Sequence, residues 1–123
     1  MEKLSTIQTR ENLNNVYRTG ETGPGGAYHD YAIVSDRLGI DLKPVAVEIR
    51  FQKGPRKDPN ARHGVTDQDL LEIVRDRFRA FCSGDMEDPH TARALSHVEA
   101  ALHHLNNRVE DRIARGVLGT MNK

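Results

Sequence analysis

The sequence has no tryptophan, a single cysteine, only 5% aromatic residues and no excess of either charge, with 18 Lys plus Arg against 18 Asp plus Glu. Each scarcity excludes something. One thiol, Cys82, cannot close an internal disulfide, so the chain is not a disulfide scaffold. A net charge of zero provides no general pull toward a nucleic-acid polymer or a membrane, so any anion site must be a local cluster. No apolar run approaches the roughly 20 residues that span a bilayer, and Met1 to Tyr17 has no signal-peptide-like apolar stretch, so a soluble cytoplasmic protein is expected. With 123 residues and few aromatics, one domain with a thin core is expected, and such a chain gains from a partner subunit. No internal repeat or low-complexity segment is visible.

The first 20 residues place Leu4, Ile7, Leu13 and Val16 at roughly helical spacing in a Thr/Asn-rich background, which predicts a weak helix or an arm. Gly20, Gly23, Pro24, Gly25 and Gly26 then break regular structure. They form a plain turn rather than a phosphate cradle, because neither a Walker Lys-Ser/Thr nor a complete G-x-G-x-x-G accompanies them. Ala27–Val34 and Val45–Gln52 predict an antiparallel ribbon. In the second, Val45, Val47, Ile49 and Phe51 alternate with Ala46, Glu48, Arg50 and Gln52. The stretch between the strands (SDRLGIDLKP) is expected as a loop with room for a short extended piece, and Lys53 to Gly64 as a basic loop opened by Pro55 and Pro59.

Thr66 with Asp69 three residues later marks a helix start, and Leu70, Leu71, Val74, Phe78 and Phe81 give that helix one buried stripe ending near Cys82. Asp88 and Pro89 restart a helix that meets no breaker before Gly116, about 27 residues or roughly 40 Å. Leu95, Val98, Leu102, Leu105, Val109 and Ile113 are the seam of an antiparallel hairpin. The expected fold is therefore α+β, a β ribbon over residues 1–64 packed on a two-helix hairpin over 65–123, together one compact unit. The far half of the long helix lacks a partner, which predicts packing against another copy.

Arg108, Arg112 and Arg115 fall at i, i+4 and i+7, one face of the last two helical turns. Guanidinium forks match phosphate oxygens. The same spacing also fits cations favoured by a helix C-terminus and neutralised by Glu110 and Asp111. His97, His103 and His104 lack zinc-site spacing and read as exposed or interface residues. Cys82 has no basic activator nearby, and no Ser/His/Asp or paired-carboxylate arrangement suggests catalysis or a cofactor.

Three segments, FQKGP at 51–55, GVTDQDLLEIVRDRFRAF at 64–81 and the RxxDRxxRGVxGT pattern at 108–120, resemble the phage anti-defence proteins that share a helical hairpin domain. These are the sponges of Thoeris and CBASS immunity. The resemblance spans about 70 of 123 residues. It implies binding without turnover of a cyclic ADP-ribose isomer, and in some members cyclic di- or trinucleotides, by a homo-oligomer, dimer or hexamer. Arg108, Arg112 and Arg115 would then neutralise phosphates, Phe51 or Met86 would touch a base, and the loop carrying Arg56 would close the site. No cofactor, metal, nucleic-acid polymer or membrane is implied. The chain departs from the pattern at Gly84–Asp88, Glu110 and Leu118, which bears on ligand identity. A sponge needs affinity alone, roughly 12 kcal/mol for nanomolar binding. The rivals are a structural phage protein without ligand and an enzyme that degrades the signal.

Overall fold

A computed structural model describes residues 1–38, 44–85 and 87–123, of which 36–38 and 44–46 are described by their backbone alone. It is an α+β fold: a four-stranded antiparallel sheet, in the order β1-β2-β3-β4, followed by two helices. The strands are β1 (Glu2–Lys3), β2 (Asn15–Thr22), β3 (Tyr28–Leu38) and β4 (Pro44–Arg50). Met1–Gly54 with Pro59–Gly64 form one compact unit, and Pro55–Asp58 with Val65–Lys123 form a second.

The N-terminal weak helix or arm is corrected to two strands. Val16, Tyr17, Thr19 and Thr22 are better strand formers than helix formers, and β3 pairs with them from Asn15↔Val34 to Thr19↔Asp30 and again at Thr22↔Tyr28. Helical spacing of four apolar residues is weak evidence beside that pairing, because strand formation depends on partners distant in sequence. The register slips between Thr19 and Thr22, where Gly20 takes φ +72°, the conformation a bulge requires. The glycine run then makes a short 3-10 turn at Pro24–Gly26. β3 and β4 extend beyond their expected ends to Leu38 and Pro44, and the rest of the expected loop, 39–43, lies outside the described residues.

The ladder sorts the sheet's faces. Val16, Ile33 and Val47 lie opposite one another on one face, and beside them Arg18, Tyr31 and Ile49. Tyr31 meets Phe51 edge-on at 5.6 Å. Ala32 is the one buried apolar residue among those described, so the core is as thin as the composition suggested.

Polar clamps supplement it. Arg62 donates through Nη2 to the carbonyls of His29 (3.1 Å) and Phe51 (3.0 Å) and pairs with the Asp30 carboxylate at 2.9 Å. Lys53 and Arg62 also exchange two backbone hydrogen bonds of 3.0 and 2.9 Å, closing the base of the basic loop. Gly64 leaves this loop where a Cβ would stand 2.5 Å from the Arg50 carbonyl oxygen.

Helices α1 (Asp67–Cys82) and α2 (Pro89–Ala114) begin at the expected caps. Thr66 and Asp69 complete a reciprocal capping box, and the Asp88 carboxylate accepts from the His90 and Thr91 amides. Gly116, at φ +70°, supplies the left-handed residue after α2. The helices are joined by a 2.9 Å contact between Arg75 and Glu99, and Gln68 and Val109 line a common cavity. With 16 residues in α1 and 26 in α2, the far end of α2 overhangs the start of α1. Ile113, expected in the seam, lies in that overhang and is 52% exposed. No described helix is long and apolar enough to cross a membrane.

Two substitutions separate the two kinds of local constraint. Thr66→Ala removes one cap and should cost about 1 kcal/mol in urea unfolding. Gly64→Ala drives a methyl into backbone that cannot swing aside and should cost more, about 3 kcal/mol, in the same measurement.

Candidate functional site

The end of α2 continues into a compact turn that organises the basic residues of the second unit. After Gly116, the Val117 amide donates to the Arg112 carbonyl at 3.0 Å and the Thr120 amide to the Val117 carbonyl at 3.1 Å. The Thr120 hydroxyl caps the same Val117 oxygen at 2.6 Å. Arg112 folds this segment: its Nη2 donates to the carbonyls of Val117 (3.1 Å), Thr120 (3.2 Å) and Asn122 (2.8 Å). It is the buried residue of α2, at 9% exposure. A charged group can be this enclosed only when oriented carbonyls replace its water.

The three arginines on one helical face thus stand in three different situations. Arg112 is turned inward onto its own chain. Arg115 is half-exposed, its Nε donating to Asp111 at 3.1 Å and its Nη1 to the Lys123 carbonyl. Arg108 is exposed and takes part in none of the ion pairs found among the described residues.

Arg56, from the loop before α1, comes to the same turn. A Cβ placed on Gly119 would lie 2.9 Å from Cγ of Arg56 and 2.7 Å from Cγ of Lys57, so both stems rest against the glycine. The Lys57 amide donates to the Gly119 carbonyl at 3.3 Å, and the tip of the loop is itself closed by Asp58 N–H on the Pro55 carbonyl at 3.0 Å. The turn therefore brings together Arg56, Lys57, Arg112 and the Arg115 that precedes it. Lys57 is one of several cations of the basic loop, and nothing in the sequence separates it from Lys53. Gly119 was visible as part of a motif, but its close neighbours belong to a segment some 60 residues earlier. Phe51 belongs to the other unit, where it packs on Tyr31, and Met86 lies outside the described residues.

Away from this turn, a concavity of about 340 Å³ opens between α1 and α2 beside Glu72, Arg75, Glu99, His103 and Asn106. Its guanidinium is already committed. Arg75 meets Glu99 at 2.9 Å and Glu72 at 3.5 Å, and the hydrogen bond that it donates to the Glu99 carboxylate foremost raises its hold on the proton. An anion entering there would face two carboxylates for one cation. His97, His103 and His104 are exposed, and no metal-holding cluster of His, Cys, Asp and Glu occurs among the described residues.

The contrast between neighbouring arginines is measurable. Arg112→Ala takes a shared donor from three carbonyls in a part-buried turn, of which only Val117's keeps the Thr120 amide and hydroxyl, and should cost about 2 kcal/mol of stability by denaturant unfolding. Arg115→Ala removes an exposed i, i+4 pair and should stay within about 0.5 kcal/mol of the parent.

Comparison with known proteins places this geometry. The family model of the Acb2/Tad1 hairpin domain matches residues 43–110, which takes in the basic loop, all of α1 and α2 as far as Glu110, Arg108 included, and stops before Arg112 and Arg115. A curated relative, Thoeris anti-defense 1 of Bacillus phage SBSphiJ7, is 36% identical over 75 residues, 61% of this chain and 52% of the relative. The chain thus spans about half the length of the relative it matches. With more than half of its residues, including α1 and most of α2, accounted for by one family, the chain belongs to the Acb2/Tad1 hairpin-domain family.

Proposed function

We propose that this chain is a phage anti-defence sponge that binds a cyclic nucleotide immune signal, a cyclic ADP-ribose isomer or a cyclic di- or trinucleotide, and sequesters it without cleavage in the infected cell's cytoplasm. The observation that carries the reading is the gathering of Arg56, Lys57 and Arg115 at the C-terminal turn of a hairpin whose relative is named for anti-Thoeris defence. Neither Arg56 nor Arg108 takes part in an ion pair among the described residues, so each retains its full set of donors for phosphate oxygens. A phosphate diester offers two such oxygens in the plane a guanidinium fork spans, and never titrates near neutral pH. Sequestration asks only that these contacts hold the signal below its working concentration. Homo-oligomeric assembly belongs to the same proposal. Exposed Ile73 on α1 and Ile113 on the overhang of α2 are apolar surface that a second copy would remove from water.

Calorimetry of the full chain against cyclic ADP-ribose isomers and cyclic dinucleotides is expected to give saturable binding of at least one. Heat-denaturing that complex should return the ligand intact. A linear product would identify a degrading enzyme instead, and silence across the panel at micromolar protein would favour a purely structural role.

Arg56→Ala and Arg108→Ala should each weaken binding roughly 10- to 100-fold, the range for one charge-assisted contact, while leaving the oligomer's mass by light scattering unchanged. Undiminished affinity in either variant removes that residue from the site.

A further inference from the structure

We infer that Gly119 is a positioning residue of the basic site: its missing side chain is the surface on which Arg56 and Lys57 are aimed. The inference rests on the nucleotide-binding reading above and names a residue that touches no ligand itself.

Two independent features forbid a side chain at this position. The backbone sits at φ +79°, where a Cβ is strained. The space is also taken, since a Cβ would meet Cγ of Lys57 at 2.7 Å, Cγ of Arg56 at 2.9 Å and Cδ of Lys57 at 3.1 Å. These are the first joints of the two stems rather than their free ends, so a collision cannot be relieved by swinging a terminal group. Either a χ1 rotamer must change or the loop backbone must back away. Backing away would break the 3.3 Å bond from the Lys57 amide to the Gly119 carbonyl.

The turn cannot yield instead. Its carbonyls at 117, 120 and 122 are held by the Nη2 of buried Arg112, and Thr120 is bonded to Val117 through both its amide and its hydroxyl. A turn fastened at this many points acts as a fixed wall, and the stems of Arg56 and Lys57 conform to it. The charged ends of two flexible side chains are thereby pointed from one place, which lowers the ordering cost of gripping a phosphate.

Gly116 provides an internal control. It shares the turn and has a similar φ of +70°, but nothing stands within 4 Å of where its Cβ would be. Gly116→Ala therefore carries the strain without the collision.

The test compares the parent, Gly119→Ala and Gly116→Ala as full chains, by calorimetry against the cyclic ADP-ribose and cyclic dinucleotide panel and by amide hydrogen exchange at Lys57. Gly119→Ala should weaken binding by tenfold or more and speed exchange at Lys57, while Gly116→Ala stays within about threefold of the parent. Equal losses in the two alanine variants would assign the effect to turn strain and overturn the inference, as would parental affinity in Gly119→Ala. Unchanged exchange at Lys57 refutes the positioning without reference to any ligand. A parent that binds nothing on the panel refutes the nucleotide reading and removes the site that Gly119 was to serve. Should Gly119→Ala fail to fold, Arg112→Lys tests the same wall from behind. It keeps the glycine and the charge but lacks the planar fork, and unaltered affinity together with unaltered Lys57 exchange would sink the proposal.

Discussion

A guanidinium collecting backbone carbonyls is the interaction on which both units of this chain depend. In the first unit Arg62 takes the carbonyls of His29 and Phe51 along with the Asp30 carboxylate. In the second Arg112 takes those of Val117, Thr120 and Asn122. The reason lies in the composition. With three Phe, three Tyr and no Trp, the chain cannot enclose much apolar volume, and Ala32 is the one buried apolar residue among those described. Irregular segments that would otherwise lean on a core are held by directional polar contacts. Each such contact draws a loop or turn onto several backbone carbonyls at once, and removing it would take a shared donor from all of them.

This use of arginine divides the basic residues by function. A guanidinium enclosed by carbonyls is a structural element whose charge is already answered. One paired with a surface carboxylate, as Arg75 is with Glu99 and Glu72, is answered more weakly but still answered. Only cations outside such arrangements can offer a full set of donors to an incoming anion, and in the second unit Arg56 and Arg108 are of that kind. A protein with equal numbers of acidic and basic residues therefore needs no general positive field to bind a phosphate. It needs a few charges kept unpaired and pointed the same way, which shape provides more readily than net charge does.

How much could be read from the sequence follows the range of the interactions involved. Caps are local, so Thr66, Asp69, Asp88, Pro89 and Gly116 marked both helices closely, and the alternation of Val47, Ile49 and Phe51 identified β4. β2 was misread because its stability comes from pairing with β3, and a Thr/Asn-rich segment with four spaced apolar residues gives no local sign of it. The seam of the hairpin was legible except at Ile113, where the shorter helix has already ended. The arginine triad was legible as a spacing, but the spacing places Cβ atoms only. That Arg112 turns inward while Arg108 stays in water is decided by carbonyls of residues 117–122, and carbonyls are the same in every sequence.

The same limit explains why glycine is the more informative residue at this site. A cation in a loop says little, since most loops carry several and Lys53, Arg56, Lys57 and Arg62 look alike in sequence. A glycine in a motif says that something must come close or that the backbone must turn the wrong way, and at Gly119 both are true. The approaching group is then the functional candidate. Reading outward from the glycine to Arg56 and Lys57, rather than inward from a list of charges, picks two cations whose stems rest against a fixed turn and which enter none of the ion pairs among the described residues.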